Sequence, residues 1–104
     1  MSAFDKAIKD LTEVACLVSS DYDWIEVRVW TDGAQFFWAT DGGCSCNSFG
    51  DSLAADDLKI LDSVDSPSFR EAVDYAYHMT EQEKQEFISA IRRSMQRVPR
   101  SNRA

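Results

Sequence analysis

Histidine occurs once in this chain, at His78, and cysteine only three times, at Cys16, Cys44 and Cys46. One histidine excludes the paired-histidine zinc motifs, and an odd cysteine count argues against a secreted disulfide framework. The four glycines form no phosphate-cradling loop, and no nucleophile elbow appears. The aspartates at Asp51, Asp56, Asp57, Asp62 and Asp65 lack the ligand spacing of a calcium loop. No apolar run approaches the roughly 18 residues needed to cross a bilayer. Asp5, Lys6, Lys9 and Asp10 interrupt the start of the chain, which does not read as a signal peptide. The expected location is cytoplasmic, and no membrane contact is expected.

Basic residues are scarce until the end. Residues 1–91 hold 18 acids against six bases, a net of −12, while residues 92–104 hold five arginines and no acid. The whole chain of 104 residues carries −7. An acidic body repels duplex nucleic acid and attracts a basic partner. The arginine end suits a helix C-terminus, an acidic partner protein, or the acidic body of a second copy. Direct nucleic-acid binding is therefore not expected, whereas a homodimer is compatible with this charge split. The acidity also admits a second reading, an acidic nucleic-acid mimic or regulator.

What the chain does have is enough apolar and aromatic content (44% and 12%) for one domain with a real core. Phe4, Ile8, Leu11, Ala15 and Val18 repeat at helical spacing, so the pattern predicts a helix from Ser2 to about Ser19-Ser20-Asp21. Trp24 to Thr31 alternates as a strand, with Ile25, Val27 and Val29 on one face and Trp24, Glu26, Arg28 and Trp30 on the other. Asp32-Gly33 predicts a type I′ hairpin turn, and the return strand runs from Gln35 to Thr40. Asp41-Gly42-Gly43 ends it, and Cys44-Ser45-Cys46 begins a further extended piece. Asn47 to Asp57 reads as loop, and Leu58 to Leu61 as either a short strand or a helical turn. Ser66-Pro67 opens a helix lined by Phe69, Val73, Ala76 and Tyr77. Thr80-Glu81-Gln82-Glu83 is a capping box for another, lined by Phe87, Ile88, Ile91, Met95 and Val98. Pro99 stops it. The fold class is α+β: an N-terminal helix, a small antiparallel sheet built on a hairpin, and two C-terminal helices. Residues 1–98 form one domain and 99–104 a frayed basic tail.

The segment from Phe36 to Cys46 concentrates the candidate chemistry. Thiols at Cys44 and Cys46 share one face of an extended backbone. They are either half of a metal site, completed by Cys16 and His78, or small apolar residues at a strand end. A Cys3His set matches zinc in number, but its only pair is separated by one residue, closer than the usual spacing. Asp41 and Asp51 flank the pair and disfavour a thiolate, so nucleophilic catalysis is not expected, nor any cofactor. The hairpin aromatics Trp24, Trp30, Phe37 and Trp38 have the composition of a protein-contact surface, and Arg93 and Arg97 add a cationic contact. These three tryptophans and one phenylalanine cannot all hide beneath one helix, so part of this set lies under other elements and part at the surface.

Trp38 to Cys46, preceded by Leu11-Thr12-Glu13-Val14-Ala15, resembles small uncharacterised proteins of actinobacterial phages, in which a Gly-Cys-Ser-Cys segment follows an aromatic hairpin. The resemblance covers residues 8–62. It implies a small accessory protein that acts in a bacterial cytoplasm by binding a host or phage protein. It assigns no residue a role.

Overall fold

The computed structural model describes residues 3–20, 23–43, 48–76 and 79–97. A short helix α1 (Ala3–Ile8) leads into strand β1 (Thr12–Ser20). Strands β2 (Trp24–Thr31), β3 (Phe36–Gly43) and β4 (Lys59–Ile60) follow, and then helices α2 (Pro67–Asp74) and α3 (Glu81–Arg97). The strands form one antiparallel sheet in the order β1-β2-β3-β4, and the fold is α+β.

The predicted long first helix is corrected. It stops at Ile8, and Thr12–Ser20 is a nine-residue strand paired with β2 from Thr12↔Thr31 to Ser20↔Trp24. A helix there would have left β2 with a free backbone edge, whereas pairing satisfies both strands at once. The helical stripe marks no single face of the structure: Leu11 packs with Phe4 and Trp30, Ala15 packs on the main core and Val18 is exposed, while the pairing shifts register between Glu13 and Ala15. This bulge breaks the alternation, so both Val14 and Ala15 pack against the same core.

The hairpin differs in detail from the predicted one. Its last pair is Thr31↔Phe36, which leaves a four-residue loop rather than a two-residue type I′ turn. Gly33 has φ of +101°, but Asp32 does not adopt positive φ. Instead the Asp32 carboxylate accepts hydrogen bonds from the amides of Ala34 and Gln35 at 2.8 and 2.7 Å. Those two amides, Gln35 first and then Ala34, favour the ionised carboxylate and hold its pKa below the ordinary aspartate value. Asp41-Gly42-Gly43 does not end β3, because Gly43 still pairs with Trp24. A Cβ on Gly42 would lie 3.0 Å from the Trp24 carbonyl oxygen, so glycine permits the close pairing there. Leu58 to Leu61 resolves as the two-residue strand β4. The predicted loop carries a 3-10 turn at Ala55–Asp57. Cys44-Ser45-Cys46 lies outside the described residues.

The sheet is covered on both faces. Leu17, Val27, Val29, Phe36 and Trp38 face α2 and α3, where Phe69, Val73, Phe87, Ile88 and Ile91 complete the main core. Trp30 and Ala39 face the other way and are covered by Phe4 of α1, with Phe49, Leu53 and Leu58 around them. The α3 capping box is formed: the Glu83 amide donates to Thr80 Oγ1 at 3.1 Å, and the Thr80 amide donates to Glu83 Oε1 at 3.2 Å. Ser66 precedes α2 with Pro67 at its first position, but its side chain makes no cap hydrogen bond.

Candidate partner-contact surface

Alternation along β2 and β3 sends the hairpin aromatics to opposite sides of the sheet. Trp30 is buried against Phe4, ring centroids 5.8 Å apart, with Phe49 at 6.1 Å. Trp38 is buried on the other face, edge-on to Phe69 at 5.4 Å. The Lys59 ammonium lies over the Trp38 ring at 5.1 Å. Both tryptophans are core residues, present at no surface. Trp24 and Phe37 are half-buried and keep surface for contact. The four aromatics therefore do not form one patch.

The arginines of α3 divide in the same way. Arg92 reaches Asp65 at 3.4 Å, and that carboxylate also takes Arg70 at 3.0 Å. Arg93 and Arg97, one turn apart on α3, are exposed and have no ion-pair partner among the described residues. They line a groove of about 320 Å³ with Thr12 and Glu13 of β1, Thr31 of β2 and Ser94. Helix α3 thus brings two guanidinium groups with no ion-pair partner among the described residues to the beginning of the edge strand β1.

Beside them on the sheet lies a polar cluster that the sequence reading missed. Glu26 is a buried acid, paired with the Arg28 guanidinium. Arg28 also reaches Glu13 at 3.6 Å and lies over the Phe49 ring at 4.4 Å. Burial alone would lower the Arg28 pKa, but the hydrogen bond and charge of Glu26 outweigh it and hold it above the ordinary guanidinium value. Cys16 is an exposed residue whose thiol donates to Glu26 Oε2 at 3.5 Å. Loss of water around the sulfur, and then the Glu26 charge, push its pKa up to about 11. The cluster holds a protonated thiol beside neutralised charges, the opposite of an activated nucleophile. Its trace in the sequence was the shared face of Glu26 and Arg28. The strand that adds Glu13 and Cys16 had been assigned to a helix.

Of the alternative metal set, only Cys16 lies among the described residues. Cys44, Cys46 and His78 lie outside the described residues, and Cys16 sits with Glu26 and Arg28. Among the described residues no group of three or more His, Cys, Asp or Glu is placed to hold a metal ion. Among them, too, no helix is long and apolar enough to cross a membrane.

A family model described as "Domain of unknown function (DUF7574)" matches residues 4–98. The chain belongs to this family. The match runs from α1 to the end of α3, so the DUF7574 domain includes both C-terminal helices, which lay beyond the resemblance read from residues 8–62. No curated protein and no solved structure matches the chain.

Proposed function

We propose that this DUF7574 domain is a non-enzymatic accessory protein of phage type that acts by contact with a host or phage protein. Its contact site is the groove of Arg93 and Arg97, and its target is an acidic segment of the partner. The observation that carries this reading is the unpaired state of these two arginines. In a chain of 18 acids, Arg28, Arg70 and Arg92 each have a carboxylate, and Arg93 and Arg97 have none among the described residues. Two guanidinium groups with no ion-pair partner among the described residues, in a groove whose Glu13 is engaged by Arg28, suit carboxylates by bidentate hydrogen bonding. The net −12 of residues 1–91 works against a nucleic-acid backbone as the ligand. The protonated Cys16 supports a non-catalytic role. The phage setting and, with it, the proposed bacterial cytoplasm rest on the sequence resemblance alone.

The test is affinity capture from a host lysate with mass spectrometry, comparing the native chain with an Arg93→Glu, Arg97→Glu double variant. The native chain retains a partner that the double variant loses, and added salt weakens the capture. Equal capture by both proteins overturns the assignment of the groove.

A further inference from the structure

The sheet has two unlike edges. On one side β4 contributes only Lys59 and Ile60. On the other, β1 is a nine-residue strand hydrogen-bonded to β2 alone. The outward backbone groups of such a strand have no strand partner among the described residues. Natural edges are guarded by charge, proline or a bulge. The β1 bulge guards only the start, between Glu13 and Ala15. From Val14 to Ser20 the strand contains no charge, no proline and no glycine. On the face away from α2 and α3 it presents the exposed Cys16 and Val18, the latter 42% exposed.

We propose that a second copy of the chain joins this sheet along β1, the two β1 strands running antiparallel across a twofold axis. The inference rests on the reading of Arg93 and Arg97 as contact cations and names the acidic segment they meet. Antiparallel pairing lays the Thr12 end of one β1 beside the Ser20 end of the other. At the Thr12 end stands the groove with Arg93 and Arg97. Just beyond the Ser20 end stands the exposed Asp23. The twofold therefore brings the cations of each copy toward an acid of the other, twice. The chain carries both halves of this complementarity, which a foreign uncharged strand does not supply. Elsewhere the acidic body of one copy repels that of the other, so β1 is the approach that charge favours. The product is a continuous sheet of two four-stranded halves, with Val18 near the seam.

Sedimentation velocity over a concentration series tests this on the full chain, with Val18→Lys and the Arg93→Glu, Arg97→Glu double variant alongside. Val18 is exposed, so Val18→Lys retains the native circular dichroism spectrum. The native chain dimerises, Val18→Lys weakens the dimer about tenfold or more, and the double variant weakens it in a salt-dependent manner. Hydrogen exchange supplies the second readout: β1 amides slow as native protein is concentrated, and do not slow in Val18→Lys. A native chain that is monomeric throughout overturns the edge dimer, and so does a dimer that Val18→Lys leaves intact with unchanged β1 exchange. The two readings fail separately. A monomeric native chain whose lysate partner is still lost in the double variant keeps the arginine contact and discards the strand pairing. A dimer broken by Val18→Lys, with capture indifferent to the arginines, does the reverse.

Discussion

At Cys16, desolvation and the Glu26 carboxylate act in the same direction and hold the thiol pKa at about 11, against 9.0 for an unperturbed cysteine. At neutral pH only about one thiol in ten thousand is then ionised. Alkylation at this site, followed by peptide mass spectrometry to separate it from Cys44 and Cys46, rises with pH up to about 11. In Glu26→Gln, which removes the charge, the profile moves to lower pH. A profile centred near 9.0 in the native chain contradicts the contact. The linked stability has a definite sign: the folded state holds this proton more tightly than the unfolded chain. Its contribution is complete below pH 9.0 and is lost as pH rises toward 11. Two other residues are tied to geometry rather than charge. Gly42→Ala drives a methyl group toward the Trp24 carbonyl oxygen and destabilises the hairpin by about 1–3 kcal/mol in urea denaturation. Phe4→Ala empties the cover over Trp30 and costs about 3–5 kcal/mol, with a red-shifted tryptophan emission.

Among the elements, the two C-terminal helices begin in different ways, and the difference is measurable. Thr80→Ala removes a formed capping box and costs about 1 kcal/mol of stability. Ser66→Ala removes a side chain that makes no cap hydrogen bond, so its cost in the same denaturation series stays below about 0.5 kcal/mol. Both helix starts were legible in the sequence, because Ser-Pro and Thr-x-x-Glu act over three or four residues of local backbone. Their stripes were legible too: Phe69, Val73, Phe87, Ile88 and Ile91 are all buried. The β1 strand was not legible. Phe4 and Ile8 do lie on a helix, but Leu11, Ala15 and Val18 keep its spacing by coincidence: Ala15 packs on the main core, Leu11 on the opposite cluster, and Val18 is exposed. What decides β1 is its pairing with β2, a contact between segments that no local period reports. The arginine groove was half legible for the same reason. Arg93 and Arg97 stood out by charge, but Thr12 and Thr31 join them only once β1 is a strand.

Over the whole molecule, the sheet forms from neighbours in sequence, each strand pairing with the next. The first two connections, 21–23 and 32–35, are short, so β1 to β3 fold from local contacts, whereas the third, 44–58, is long. One wall of the main core is not local. Phe87, Ile88 and Ile91 of α3 pack into the core that holds Leu17 of β1, and the groove of Arg93 and Arg97 lies where the two elements meet. Cutting the chain after residue 80 therefore removes Phe87, Ile88 and Ile91 from that core and leaves α2 alone over the sheet face. The truncated protein is expected to bind the dye ANS and aggregate rather than melt cooperatively; a sharp thermal transition in it contradicts this.

This arrangement fixes an order of events during synthesis. Until α3 has been made, the sheet face that Phe87, Ile88 and Ile91 cover is shielded only in part, by α2. Folding cannot finish until the α3 helix has left the exit tunnel. For that interval the nascent chain offers a chaperone, or a neighbouring nascent chain on the same message, the surfaces that the finished domain hides. The speed of translation across the last turns of the domain is thus a determinant of its yield, independent of how stable the completed fold is.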